Sequence, residues 1–196
     1  MPAPVSDLLS QLLRPDNLHS AEELQGKSSP APAKRGVYAW FFKDAMWPFS
    51  TEGCAHNDGL PLLYLGIAPA RVDGRSSLRS RLRTHSRGNS DASTLRMTLG
   101  CVLSEQLGIR LQRSKSGRYR FGPGERVLTD WLARHAFVSW VACDEPWIAE
   151  PLLIAQLDLP LNLQHNGTHA FFPTLQAARR AARLRANLDA GRTVEN

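Results

Sequence analysis

Cysteine is scarce in this chain. Its 196 residues hold three, Cys54, Cys101 and Cys143, odd in number and far apart. That excludes a disulfide framework and a zinc-knuckle spacing, and it favours a reducing compartment. No apolar run approaches the ~20 residues of a membrane-spanning helix. The opening Met1-Pro2-Ala3-Pro4 lacks the basic and apolar regions of a secretory signal. The expectation is a cytoplasmic protein without a membrane partner. No heptad repeat is present to imply an oligomeric state. Acidic residues are sparse in the middle: residues 69–126 carry 13 Lys+Arg against 4 Asp+Glu, although the whole chain is only +6. A clustered basic segment points to a polyanion, most often nucleic acid.

The hydrophobic content of 42% and the length are those of one ordinary domain with appendages. Two aromatic-aliphatic runs bounded by turn formers read as strands, Gly36–Phe42 and Pro61–Ile67, and Ala136–Ala142 reads as a third. Residues 5–14 have helical apolar spacing, with Ser6 or Asp7 as the cap. Residues 26–34 are a Gly/Ser/Pro/Ala linker, mobile or extended. After a long loop (43–60) and the second strand, Arg75–Arg87 reads as a helix capped by Asp73, Ser76 or Ser77. Leu78 and Leu82 would dock it on the sheet. Arg75, Arg79, Arg83 and Arg87 would form an outward cationic stripe, and Arg81 and His85 would lie on the flank.

A helix over Thr94–Leu107 would be capped by Ser93 and ended by Gly108. Residues 109–121 alternate apolar and basic around Ser-Lys-Ser-Gly, the pattern of a hairpin with one basic face. Arg126–His135 reads as a helix. A helical run from Asp144 through Leu157 contains Pro146, acceptable in a first turn, and Pro151, which would kink an interior. A last helix spans 174–190, ended by Gly191.

The order of these features is informative: Gly36-Val37-Tyr38, then Tyr64-Leu65-Gly66, then Arg81 and His85 four apart on a helix, then Glu150 and Pro160-Leu161-Asn162. This set resembles the GIY-YIG nuclease family over roughly residues 34–166. The resemblance implies an α+β fold, a small three-stranded antiparallel sheet flanked by helices. It divides the chain into an N-terminal helix and linker (1–33), a nuclease domain (34–170) with a basic insertion (about 88–126), and a C-terminal helix and tail (171–196). The middle residues of the two tripeptides, Val37 and Leu65, are mild departures from the family pattern.

The implied activity is metal-dependent endonucleolytic hydrolysis of DNA. The alternatives are a nucleic-acid-binding module without catalysis, or RNA as substrate. Phosphodiester hydrolysis needs an activated water, charge stabilisation on the phosphoryl oxygens and help for the leaving oxygen. A divalent cation on a carboxylate supplies much of this. Mg2+ (or Mn2+) suits a site with one protein carboxylate, since it keeps most of its waters. Glu150 is the metal-ligand candidate. Arg81 would hold the scissile phosphate through its planar donors. By resemblance Tyr38 is the first choice for the base, with Tyr64 a hydrogen-bonding partner. His85 would relay a proton or orient Tyr38, and Asn162 would hold phosphate or brace the site. Arg75, Arg79, Arg83, Arg87, Arg96, Arg113, Lys115 and Arg118 are the candidates for contacts to the nucleic-acid backbone.

Overall fold

The computed structural model describes residues 5–14, 18–26, 28–43 and 45–192. In chain order the elements are α1 (Val5–Leu12), β1 (His19–Ser20), β2 (Gly36–Phe42), β3 (His56–Asn57), β4 (Leu60–Ala68), α2 (Leu78–Arg87), α3 (Thr94–Val102), α4 (Ser104–Leu107), β5 (Gln112–Arg113), β6 (Tyr119–Arg120), α5 (Gly124–His135), β7 (Ala136–Ala142), α6 (Pro146–Ile154) and α7 (Phe172–Arg192).

The fold is α+β. Its main sheet is antiparallel and five-stranded, in the order β1-β7-β2-β4-β3. The sequence pattern predicts three of these strands. The other two are pairs of residues, too short to carry a pattern of their own, and they add to the outer edges of β7 and β4. A separate two-stranded ribbon, β5–β6, forms where the basic hairpin is expected.

All seven residues of β2 are buried. The strand lies in the middle of the sheet with both faces covered, so its run is apolar without a polar alternation. Tyr38, Trp40 and Phe42 face one layer of helices, which includes α2, α3 and α5. Val37, Ala39 and Phe41 face the other, made by α1 and α6. A register shift between Trp40 and Phe41 skips Leu63 on β4. This bulge leaves Leu63 and Tyr64 in the same layer as Tyr38. Tyr38 is paired with Gly66, and Tyr64 stands two residues before Gly66 on β4. The two phenols therefore share one face of the sheet.

Several boundaries differ from expectation for local reasons. α2 begins at Leu78, because Ser77 and Ser80 close a reciprocal capping box there. Arg75 consequently lies ahead of the helix. The helix expected over 94–107 is divided at Leu103 into α3 and α4; Ser93 caps its start, and Gly108 ends it in the left-handed conformation (φ 62°). The run from Asp144 to Leu157 is helical only over Pro146–Ile154. Gly191 does not end α7, which continues to Arg192.

The described linker residues 28–34 are pinned. The amides of Leu78 and Arg79 donate to the carbonyls of Lys34 and Pro32, and Ala31 is fully buried. No helix among the described residues is long and apolar enough to cross a membrane.

Candidate active site

Both glycines of the paired tripeptides sit where a side chain would collide. A Cβ on Gly66 would lie 2.5 Å from the Tyr38 hydroxyl oxygen and 2.7 Å from its ring carbon Cζ. One on Gly36 would overlap the Val141 carbonyl oxygen on β7 and come within 2.8 Å of Leu78 Cδ1. Gly66 thus gives Tyr38 the floor it lies on, and Gly36 lets α2 and β7 close around the strand start.

Tyr38 and His85 are fully buried, and the Tyr38 hydroxyl is 2.7 Å from His85 Nε2. His85 Nδ1 is 2.7 Å from Ser93 Oγ. Ser93 Oγ also accepts from the Arg96 amide as the cap of α3. Burial first, then the positive charges of Arg81 and Arg96, hold His85 well below its ordinary pKa, so the ring is neutral. A neutral imidazole carries one N–H. It either donates to Tyr38 and accepts from Ser93, or the reverse, and a hydroxyl can serve both tautomers. Burial raises the Tyr38 pKa, while the nearby Arg81 charge acts to lower it. Arg81 Nε donates to the Tyr38 oxygen at 3.4 Å, and its Nη1 donates to the Ala92 carbonyl at 3.1 Å. Tyr64 meets His85 edge-on, with ring centroids 6.1 Å apart. Burial pushes its phenol far up as well.

Glu150 enters from α6. Pro146 stands at the start of that helix, so Pro151 removes a donor only one turn further in, and the helix runs through it. Glu150, Tyr38, Tyr64 and Arg81 line one cleft of about 60 Å³. Burial pushes the Glu150 carboxyl up to about 7, against the pull of Arg81. Asn162 lines the same cleft. Its Nδ2 donates to the Leu65 carbonyl and its Oδ1 accepts from the Leu65 amide, both at 2.9 Å. These two bonds satisfy an outer edge of β4 that no strand covers at that point. The amide is consumed as a brace, not turned to the cleft as a phosphate donor. Asn166 supports it, donating to the carbonyls of Leu159 and Asn162.

The candidate donors fit a hard divalent cation in one respect. Glu150 is a desolvated carboxylate facing a cleft without a second acid, and the described residues hold no group of three His, Cys, Asp or Glu able to enclose a metal. A cation that retains water and takes substrate oxygens suits such a donor set.

The basic residues expected at the nucleic-acid backbone are dispersed. Arg96 is fully buried; it pairs with Glu125 at 2.8 Å and donates to the Glu125 carbonyl. It cannot reach a phosphate. Arg79 Nε donates to the Ala31 carbonyl and Arg87 Nη1 to the Gln25 carbonyl, so these two arginines of the α2 stripe are tied to the N-terminal segment while remaining exposed. Arg83 is half-buried, while Arg75 is exposed in the loop before α2. Arg113, Lys115 and Arg118 are exposed on the β5–β6 ribbon, and Arg118 lies 3.7 Å from Asp91.

Residue patterns do not reveal two features of this region. Ser93 reads as a cap, and its bond to His85 has no signal in sequence. The arginines of α7 are hidden by averaging. Residues 127–196 hold 6 Lys+Arg against 7 Asp+Glu, yet Arg179, Arg180, Arg183 and Arg185 fall within two turns. A charge window of one helix length shows them.

A family model described as the GIY-YIG catalytic domain matches residues 36–181. No curated protein and no solved structure matches the chain significantly.

Proposed function

The chain belongs to the GIY-YIG nuclease family, a nuclease type that acts on nucleic acid, and from that premise we propose that it is a metal-dependent endonuclease hydrolysing phosphodiester bonds in DNA. One observation carries the reading: Tyr38, Tyr64, Arg81 and Glu150, far apart in sequence, line a single small cleft.

In this reading the scissile phosphate enters beside Arg81, whose guanidinium stabilises the charge that builds on the phosphoryl oxygens. Glu150 would hold Mg2+, which would supply charge neutralisation at the phosphate. The attacking water gives its proton to the Tyr38 oxygen as the phenol passes its own to His85 Nε2. The negative phosphate acts against what burial first, and then Arg81 and Arg96, cost the imidazolium. The new P–O bond forms as the bond to the leaving oxygen breaks, and that oxygen takes a proton from solvent. Tyr64 serves as a hydrogen-bonding partner of the phosphate or the attacking water, and Asn162 braces β4 beside it. An unperturbed phenol near pKa 10 is a poor base, so the coupled transfer to His85 is what makes Tyr38 competent.

Nicking of supercoiled plasmid with Mg2+ tests the proposal. Cleavage is expected with the intact chain and its loss with Glu150→Gln; equal cleavage by that variant would overturn the assignment. Running the same assay on RNA decides between the two polymers.

A further inference from the structure

We infer that α7 supplies a phosphate track, with Arg179, Arg180 and Arg183 binding the backbone of the nucleic-acid strand outside the cleft. The inference rests on the nuclease reading above and names where its substrate continues.

Three concave surfaces join through shared residues. The cleft shares Arg81 and Thr94 with a larger groove of about 410 Å³, whose other wall holds Arg118, Arg179 and Arg183. That groove shares Arg179 and Arg183 with a third hollow of about 310 Å³, lined also by Leu163, Gln176 and Arg180. Leu163 returns the path to the cleft. The third hollow contains no acid. The second contains only Asp91, which Arg118 and Arg120 already engage, Arg120 at 2.8 Å. An uncompensated positive groove beginning at a hydrolytic cleft suits a polyanionic strand better than a small neutral ligand.

The side chains are held for this. Arg179 is half-buried, with Nη1 donating to Thr98 Oγ1 at 2.9 Å, and burial and Arg183 both press its pKa down. A partly desolvated cation next to another cation is relieved when an anion arrives. Arg183 lies over the Tyr119 ring at 5.4 Å, and the Tyr119 hydroxyl donates back to Asn187 of α7. The ribbon and the helix therefore form one wall. Arg179 and Arg183 are four residues apart, about 6 Å along a helix axis. One strand of a duplex presents a phosphate about every 3.4 Å of its axis, so the pair spans two of them. Arg180 is exposed beside them, in the hollow that no acid lines.

The test is equilibrium binding of a fluorescent 20-mer DNA duplex and of its single strand, in EDTA so that no cleavage intervenes, as a function of NaCl. The intact chain should bind with a log Kd against log [salt] slope that Arg180→Ala/Arg183→Ala lowers by about 2. Affinity at about 0.1 M salt should fall at least about tenfold. Arg180→Lys/Arg183→Lys should keep the slope, since it keeps the charges. Arg126→Ala/Arg134→Ala, on α5, removes two charges elsewhere and should leave the slope unchanged. Circular dichroism melts of each variant report folding. If the intact chain binds and cuts DNA but the α7 pair leaves affinity and slope unchanged, the track is wrong and the nuclease reading stands. If the α7 and α5 variants weaken binding equally, the effect is net charge and the track is again overturned. If the intact chain neither binds nor cuts, both fall.

Discussion

Tyr38 is buried with its oxygen against one imidazole nitrogen and one guanidinium. Tyr38→Phe keeps the ring that packs on Gly66 and removes only the hydroxyl. Cleavage should fall about 10²–10⁴-fold, the usual range for losing an acid–base group. Unfolding in urea should show a loss of only about 1–3 kcal/mol, for the buried partner left unpaired. Gly66→Ala should cost activity by another route, by pushing the phenol off its floor, and a Tyr38 fluorescence or NMR shift would accompany the loss.

Glu150 and His85 titrate with opposite consequences. The folded Glu150 keeps its proton up to pH about 7, whereas in the unfolded chain it loses it near 4.5. Between those values the folded state binds more protons, so this residue makes metal-free stability fall as pH rises. Glu150→Gln should flatten that limb in melts recorded from pH 5 to 8 and raise stability at pH 8. Cleavage at limiting Mg2+ should decline as pH falls below about 7, when the carboxyl is protonated. His85 works the other way. The unfolded ring protonates near 6.5 while the buried one stays neutral, so stability is lost as pH falls through that value.

Among the elements, the site depends on how α2, α3 and α5 are tied together. Arg96 of α3 reaches the carbonyls of His85 and Ser86 at the end of α2, and the side chain and carbonyl of Glu125 at the start of α5. Glu125 in turn accepts from the amides of Ser90 and Phe121. Removing one member of a buried ion pair leaves an uncompensated charge, so Arg96→Met should cost about 3–5 kcal/mol in urea unfolding. It should also loosen Ser93 and His85 and lower cleavage, whereas Arg96 itself touches no substrate. An arginine in a basic run reads as solvated from sequence; only its position on the inward side of a cap turns it into a strut.

Across the molecule as one body, α7 is the element whose importance is tertiary. It buries Leu175 and Ala186 completely and packs on α3 and β5. A chain ending at residue 170 should melt lower and less cooperatively, since Leu175 alone accounts for about 1.5–3 kcal/mol of apolar burial. It should also bind DNA more weakly, having lost Arg179, Arg180 and Arg183. Calorimetry and the duplex-binding measurement would separate the two effects.

Residue order alone suffices for the three long strands, the position of α2 and the family. Each of these is written locally, in aromatic runs, a four-residue spacing and ordered short motifs. The two edge strands are not legible there, because two residues carry no period. The link from the His85 imidazole to the Ser93 hydroxyl, the consumption of Asn162 by Leu65, the inward turn of Arg96 and the arginine wall beside the cleft arise only on folding. They depend on which side chains, distant along the chain, arrive at the same place, and on which donors and acceptors burial leaves for them to pair with.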